Sequence, residues 1–168
     1  MLLVFTIYIL SRQKAMIVAM CMLSAILLGG QVRASSLDDA VQALDNGYYQ
    51  DARKAFEALA ETGNTDAQTL LGIMYTEGRG VRRDNEQARH WLLLASHQGC
   101  HEAQFLLGLS YLTGQEDSAQ SRIWLRRAAH NGNPLAQRFL VRAYRNAWFG
   151  SENMKHASYW QGRLKNIN

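Results

Sequence analysis

The stretch Gly63-NTDAQTLLGIMYTEGRGVRRDNEQARH-Trp91 decides how this chain is read, because its landmarks return twice downstream. Gly63, Ala67, Leu71, Tyr75 and Trp91 recur as Gly99, Ala103, Leu107, Tyr111 and Trp124, then as Gly132, Ala136, Leu140, Tyr144 and Trp160. The first four landmarks step by 36 and then 33 residues, the tryptophan by 33 and then 36. One three-residue deletion between Tyr111 and Trp124, restored in the last copy, accounts for the difference. A period of about 33–36 residues with small and aromatic landmarks is how stacked helix-turn-helix units appear in sequence. The expected function is therefore recognition before chemistry.

Each unit marks its own helix ends. Gly63, Gly99 and Gly132 stand where a helix ends in a left-handed residue, a conformation that glycine adopts without steric penalty. Asp84, Asp117 and Asn153 lie seven residues before the tryptophans, placed to accept hydrogen bonds from the first free N–H groups of a second helix. Asn133-Pro134 opens the last unit with a cap residue and a proline at the first helical position. First helices are expected near 65–77, 101–113 and 134–147, and second helices near 84–98, 117–130 and 153–164. Upstream, Leu37–Leu44 and Tyr49–Ala60 form a further helical pair around Asn46-Gly47, with Ala40, Leu44, Ala52, Phe56 and Leu59 at helical spacing. Hairpins are thus expected at about 37–62, 64–98, 100–131 and 133–165. Trp91, Trp124 and Trp160 should fill the gaps between them.

These residues resemble the Sel-one-like repeat (SLR), a relative of the tetratricopeptide repeat. The first copy carries nearly the whole pattern: Ala67-Gln68, Leu71-Gly72, Tyr75, Gly78-Arg79-Gly80-Val81, Asp84, Ala88 and Trp91. The second keeps Ala103-Gln104, Leu107-Gly108, Tyr111 and Gly114 but lacks the Gly-Val half of the loop, and the third has Val141 where the pattern has glycine. The resemblance covers about Thr65 to Leu164. It implies an all-α, right-handed α-solenoid of about four helix-turn-helix hairpins, one tetratricopeptide-like and three SLR-like. It also implies a scaffold role without common catalytic residues and without a cofactor.

Residues 1–34 read as a targeting segment: Arg12 and Lys14, an apolar run from Ala15 to Leu28, then the small-x-small end Val32-Arg33-Ala34. Cleavage after Ala34 leaves one domain over 35–168 in a periplasmic or secreted protein. The apolar Met1–Leu10 sits where a basic region is usual, so an uncleaved anchor is the alternative; a run of 14 apolar residues is short against the roughly 20 that span a bilayer. Three of the 18 basic residues lie in the leader and all 14 acidic ones follow it, so the remainder is close to neutral, at +1. Wholesale nucleic-acid binding thereby loses its support. Charge is nevertheless polarised: Ser35–Gly78 holds eight acidic and two basic residues, the rest six acidic and 13 basic.

In this class of solenoid the first helices line the concave face. The positions beside the core stripe are Thr69, Ile73 and Thr76, then Phe105, Leu109 and Leu112, then Arg138, Arg142 and Arg145. Such a strip, passing from mildly polar through apolar to basic, suits a protein or peptide partner with acidic residues at one end. The competing reading has Phe105, Leu109 and Leu112 packing on the adjoining hairpin and the arginines forming a solvated face. Trp148-Phe149 replaces loop glycines in the final unit, either closing the core or offering an exposed anchor.

No constellation for chemistry emerges. His97, Cys100, His101 and Glu102 straddle a helix end and a helix start without a matching cluster, short of the four-ligand geometry of zinc. With Cys21 in the leader, Cys100 is the lone cysteine of the remainder, so no internal disulfide is expected. Gly78-Arg79-Gly80 follows no strand and is no phosphate cradle. The reading is an exported, non-catalytic scaffold that binds a protein partner in its groove, with no metal and no nucleic acid. Two alternatives are kept. One is an accessory envelope hydrolase like some relatives with cysteine-paired repeats, against which the missing cysteine pairs count. The other is a membrane-tethered structural subunit of an envelope complex.

Overall fold

A computed structural model describes residues 36–113, 117–149 and 154–165. The proposed leader, Gly114 and the expected cap Asn153 lie outside the described residues. Leu37–Asn168 forms a compact unit of its own, an all-α solenoid of helical repeats. Its helices are α1 (Leu37–Asp45), α2 (Tyr49–Glu61), α3 (Thr65–Glu77), α4 (Asn85–His97), α5 (His101–Thr113), α6 (Ser118–His130), α7 (Pro134–Arg145) and α8 (Met154–Lys165). Each packs chiefly on its neighbours in chain order, as a stack of hairpins must.

The helix ends obey their local sequence. Asp84 accepts from the N–H groups of Glu86 and Gln87 at 2.9 and 3.0 Å, and Asp117 from those of Ala119 and Gln120 at 3.1 and 3.0 Å. Asn64 and Asn133 cap α3 and α7 through Ala67 and Ala136, each at 2.8 Å. Gly63, Gly99 and Gly132 have φ of 91, 93 and 94°, the left-handed turn that sends the chain from one hairpin into the next.

A buried glutamine ties each unit to the one before it. Gln68, Gln104 and Gln137 donate through Nε2 to the carbonyls of Ala60, Ser96 and Ala129, each at 3.0 Å. The preceding second helix thus has a terminal carbonyl satisfied from the next hairpin. In two units the glutamine's other end is also held. Gln98 donates to Gln68 Oε1 at 2.8 Å and Asn131 to Gln104 Oε1 at 2.9 Å. Among the described residues Gln137 Oε1 is buried without a partner.

The core is divided among the junctions. One cluster gathers Phe56, Leu71 and Met74, with Trp91 half-buried against it; a second gathers Leu92, Leu107 and Trp124; a third gathers Leu125, Leu140, Tyr144 and Trp160. Each large side chain buried this way stabilises by about 1.5–3 kcal/mol. Trp124 and Trp160 are core residues, whereas Trp91 stays partly exposed. On the second-helix side, His97 packs edge-on to Trp124 at 5.6 Å and His130 to Trp160 at 4.8 Å, so a histidine of one unit meets the tryptophan of the next.

Small residues set how closely helices approach. A Cβ on Gly72 would lie 2.6 Å from Leu92 Cγ, and one on Gly108 would lie 2.7 Å from Leu125 Cγ. In the last unit both halves of this pair change: Val141 replaces the glycine and Gln161 the leucine. Gly80, in the loop between α3 and α4, is held by the close approach of that loop to the start of α2. Its Cβ would meet the Tyr49 backbone at 2.8 Å, while Gln50 Nε2 donates to Gly80 O at 2.6 Å.

Candidate binding clefts between the first helices

Two clefts open between successive first helices, and α5 separates them. The cleft between α5 and α7, about 220 Å³, is lined by Phe105, Leu135, Arg138, Phe139, Arg142 and Trp148. The one between α3 and α5, about 160 Å³, is floored by Leu92 of α4 and walled by Ile73, Leu106 and Leu109.

The α5/α7 cleft owes its form to helix periodicity and one unusual turn. Leu135, Arg138 and Arg142 fall at i, i+3 and i+7 on one stripe of α7. Phe139 bridges α7 to its neighbours, 6.4 Å from the Phe105 ring and 5.4 Å from that of Trp148. Trp148 is brought there by the end of α7, where its N–H donates to Ala143 O at 3.0 Å. Ala147 supplies the left-handed residue with φ 56°, at the position that Gly78 fills in the first copy with φ 76°. For a residue with a Cβ this conformation is disfavoured by about 1–2 kcal/mol.

The adjacent rings have different fates. Phe149 packs against the third cluster, 5.8 Å from the Tyr144 ring, while Trp148 is 45% exposed and Leu135 53% exposed. Among the described residues no carboxylate lies within ion-pair distance of Arg138 or Arg142. The cleft therefore offers two free guanidinium groups beside an open aromatic and apolar wall.

The sequence-expected groove positions separate into three groups. Phe105, Arg138 and Arg142 meet in the α5/α7 cleft, and Ile73, Thr76 and Leu109 line the α3/α5 cleft. Thr69, Leu112 and Arg145 line neither cleft. Thr69 is 8% exposed, covered by the start of α5, with its hydroxyl donating to Thr65 O at 2.9 Å and 3.6 Å from Cys100 Sγ. Leu112 packs on the third cluster, which Phe105 and Leu109 also touch, so the apolar strip serves the hairpin junction as well as the clefts. Arg145 donates to Gln161 of α8 at 2.6 Å, a partner that exists because the leucine of the other copies is glutamine here. Leu135 and Phe139 were missed, though extending the arginine stripe one turn toward the helix start would have found Leu135; Trp148, read from sequence as either core closure or an exposed anchor, lines the cleft and is exposed.

The cluster around Cys100 is internally engaged. Cys100 Sγ lies 3.6 Å from Glu102 Oε2, His101 Nδ1 is 3.1 Å from Glu102 Oε1, and Asn133 donates to His101 O at 3.3 Å. Among the described residues no group of three or more His, Cys, Asp or Glu side chains is placed to hold a metal ion.

The described residues thus define a repeat protein of helical hairpins with clefts between its first helices, a TPR-like class. The Sel1 repeat family model matches residues 65–100 and 101–133. Residues 65–133 therefore carry two Sel1 repeats, within a chain of SLR-like, TPR-like fold. A Sel1 repeat protein from Oxalobacter formigenes is similar at 35% identity and a TM-score of 0.63, over 69% of this chain and 34% of that one. A protective antigen of uropathogenic Escherichia coli displaying an SLR fold shares the fold at 22% identity and a TM-score of 0.65, over 80% of this chain and 34% of that one. In Arabidopsis thaliana, the ERAD-associated E3 ubiquitin-protein ligase component HRD3A is 41% identical over 59 residues, which are 34% of this chain and 9% of that protein. The chain thus spans about a third of the two solved proteins and under a tenth of the plant one. Sel1 repeat proteins generally mediate protein–protein interaction and are typically non-catalytic.

Proposed function

We propose that this protein is an exported, non-catalytic scaffold that holds an acidic segment of a partner protein across its first helices, anchored in the α5/α7 cleft. The observation that carries this reading is the pairing of Arg138 and Arg142, without a carboxylate partner among the described residues, with the exposed faces of Leu135 and Trp148. Guanidinium groups bind carboxylates through paired, charge-assisted hydrogen bonds. Aromatic and arginine side chains at the centre of an interface contribute most of its binding energy. The acidic-to-basic polarity of the chain adds to the field that such a segment would meet.

Export rests on residues 1–34 alone: a basic flank, a short apolar run and Val32-Arg33-Ala34. Mass spectrometry of the N-terminus of the native protein tests it. A start at Ser35 supports cleavage, whereas retention of residues 1–34 turns the reading into a tethered subunit. The binding claim is tested by co-purification from native membranes with wild type and an Arg138→Glu/Arg142→Glu variant. A partner lost with the charge reversal and regained with an acid-to-lysine change in that partner supports it. Equal recovery by both proteins refutes it.

A further inference from the structure

We propose that the α3/α5 cleft is a second anchor of the same surface, taking an aliphatic side chain of an extended partner segment whose acidic end lies on Arg138 and Arg142. This rests on the groove reading above and adds the ligand's second chemical requirement and the placement of its acidic end.

The cleft has an apolar floor and walls beside a polar set that includes Glu77, Arg83 and Asn85. Leu92 lies against Gly72, where a Cβ would come within 2.6 Å of its Cγ, and so floors the notch instead of filling it. Ile73, Leu106 and Leu109 form the walls. The hydroxyls at the rim are turned to their own helices: Thr76 donates to Gly72 O and Ser110 to Leu107 O, each at 2.8 Å. A volume of about 160 Å³ matches the apolar cavities of roughly 150 Å³ that accept a benzene-sized guest. One leucine-sized side chain fits that description.

Charge sets which end lies in which cleft. The lining of this notch carries one cation and one anion, Arg83 and Glu77, with Glu77 paired to Arg79 at 2.7 Å, whereas the other cleft carries two cations, Arg138 and Arg142, which have no carboxylate partner among the described residues. An acidic terminus is therefore drawn toward α7. Spacing follows from the intervening helix. Leu109 is one turn beyond Phe105, and packed helices lie about 8–10 Å apart, so the clefts are separated by on the order of 10 Å across α5. An extended segment advances about 3.3 Å per residue and alternates its side chains. Same-side residues at i and i+2 or i and i+4 bracket that distance, so the leucine stands two or four positions from the group that enters the arginine cleft, in either chain direction.

The test uses the full chain and synthetic peptides of the form acetyl-Leu-spacer-Phe-Asp-Asp-amide and, in reverse order, acetyl-Asp-Asp-Phe-spacer-Leu-amide, with one or three Ser/Gly spacer residues and the Phe meant for the Phe139 and Trp148 rings, read by fluorescence anisotropy. Replacing the peptide Leu by Ala is expected to weaken binding roughly tenfold or more. In Thr76→Trp, which plugs the notch from its exposed rim, Leu and Ala peptides should bind alike. The peptide-side change needs no protein variant, so the comparison stands even if Thr76→Trp folds poorly. Equal affinity of Leu and Ala peptides for wild type, with Asp→Asn still weakening binding, overturns the second anchor and leaves the arginine cleft standing. If Asp→Asn and Arg138→Glu/Arg142→Glu also change nothing, or no peptide of the series binds, the groove reading falls as well.

Discussion

The buried glutamines permit a prediction in which chemically identical substitutions have opposite outcomes. Gln104 is 3% exposed and makes two hydrogen bonds, from Nε2 to Ser96 O and from Asn131 Nδ2 to its own Oε1. Gln104→Leu keeps the volume and removes both. Ser96 O retains its bond from the Gly99 N–H at 3.2 Å, and Asn131 is exposed enough to be hydrated, so neither partner is left wholly unsatisfied. At about 1 kcal/mol net for each hydrogen bond, the loss is about 2 kcal/mol. Gln137 is 1% exposed and makes the equivalent bond to Ala129 O, but its Oε1 is buried with no partner among the described residues. Gln137→Leu again loses about 1 kcal/mol, yet it removes a desolvated acceptor whose burial costs about 1–3 kcal/mol. The result should be between neutral and about 2 kcal/mol stabilising. Urea denaturation followed by circular dichroism separates the two. With a slope of about 2 kcal/mol/M, the Gln104→Leu midpoint should fall by about 1 M while that of Gln137→Leu holds or rises. Equal losses would show that these glutamines act by shape alone and would refute the hydrogen-bond argument.

Other substitutions test the turns and junctions. Ala147→Gly relieves the left-handed strain at φ 56° and should raise stability by about 1 kcal/mol in the same urea experiment; a loss would mean that the methyl group is needed to place Trp148. Gly80→Ala puts a Cβ against the Tyr49 backbone at φ 70° and should cost about 1–3 kcal/mol, whereas Gly63→Ala, with open space around it, should cost only the backbone strain. The His130 pKa is lowered below 6.5 by burial first, then by Arg126 and Arg163. The folded protein therefore binds that proton more weakly than the unfolded chain, so the stability tied to neutral His130 is present above pH 6.5 and lost as pH falls through the lowered folded value. Urea midpoints of wild type and His130→Gln between pH 7.5 and 5 should diverge as pH falls; parallel curves would remove the effect.

Much of this protein was legible in its residues taken alone. The recurrence of Gly, Ala, Leu, Tyr and Trp determined the hairpins, and the observed α3, α5 and α7 start at Thr65, His101 and Pro134, where caps and proline placed them. Capping and helical periodicity are local: a side chain three residues from an exposed N–H finds it whatever else the chain does. The binding surface obeyed no such rule. Thr69, Phe105 and Arg138 share one register in their repeats, yet one is buried under the next unit, one is half-buried at a junction and one is exposed. Periodicity says which face of a helix a residue occupies; it does not say which distant element covers that face. Packing decided that Gln161 draws Arg145 to α8, that an alanine in a left-handed turn carries Trp148 to Phe139, and that two clefts open on either side of α5.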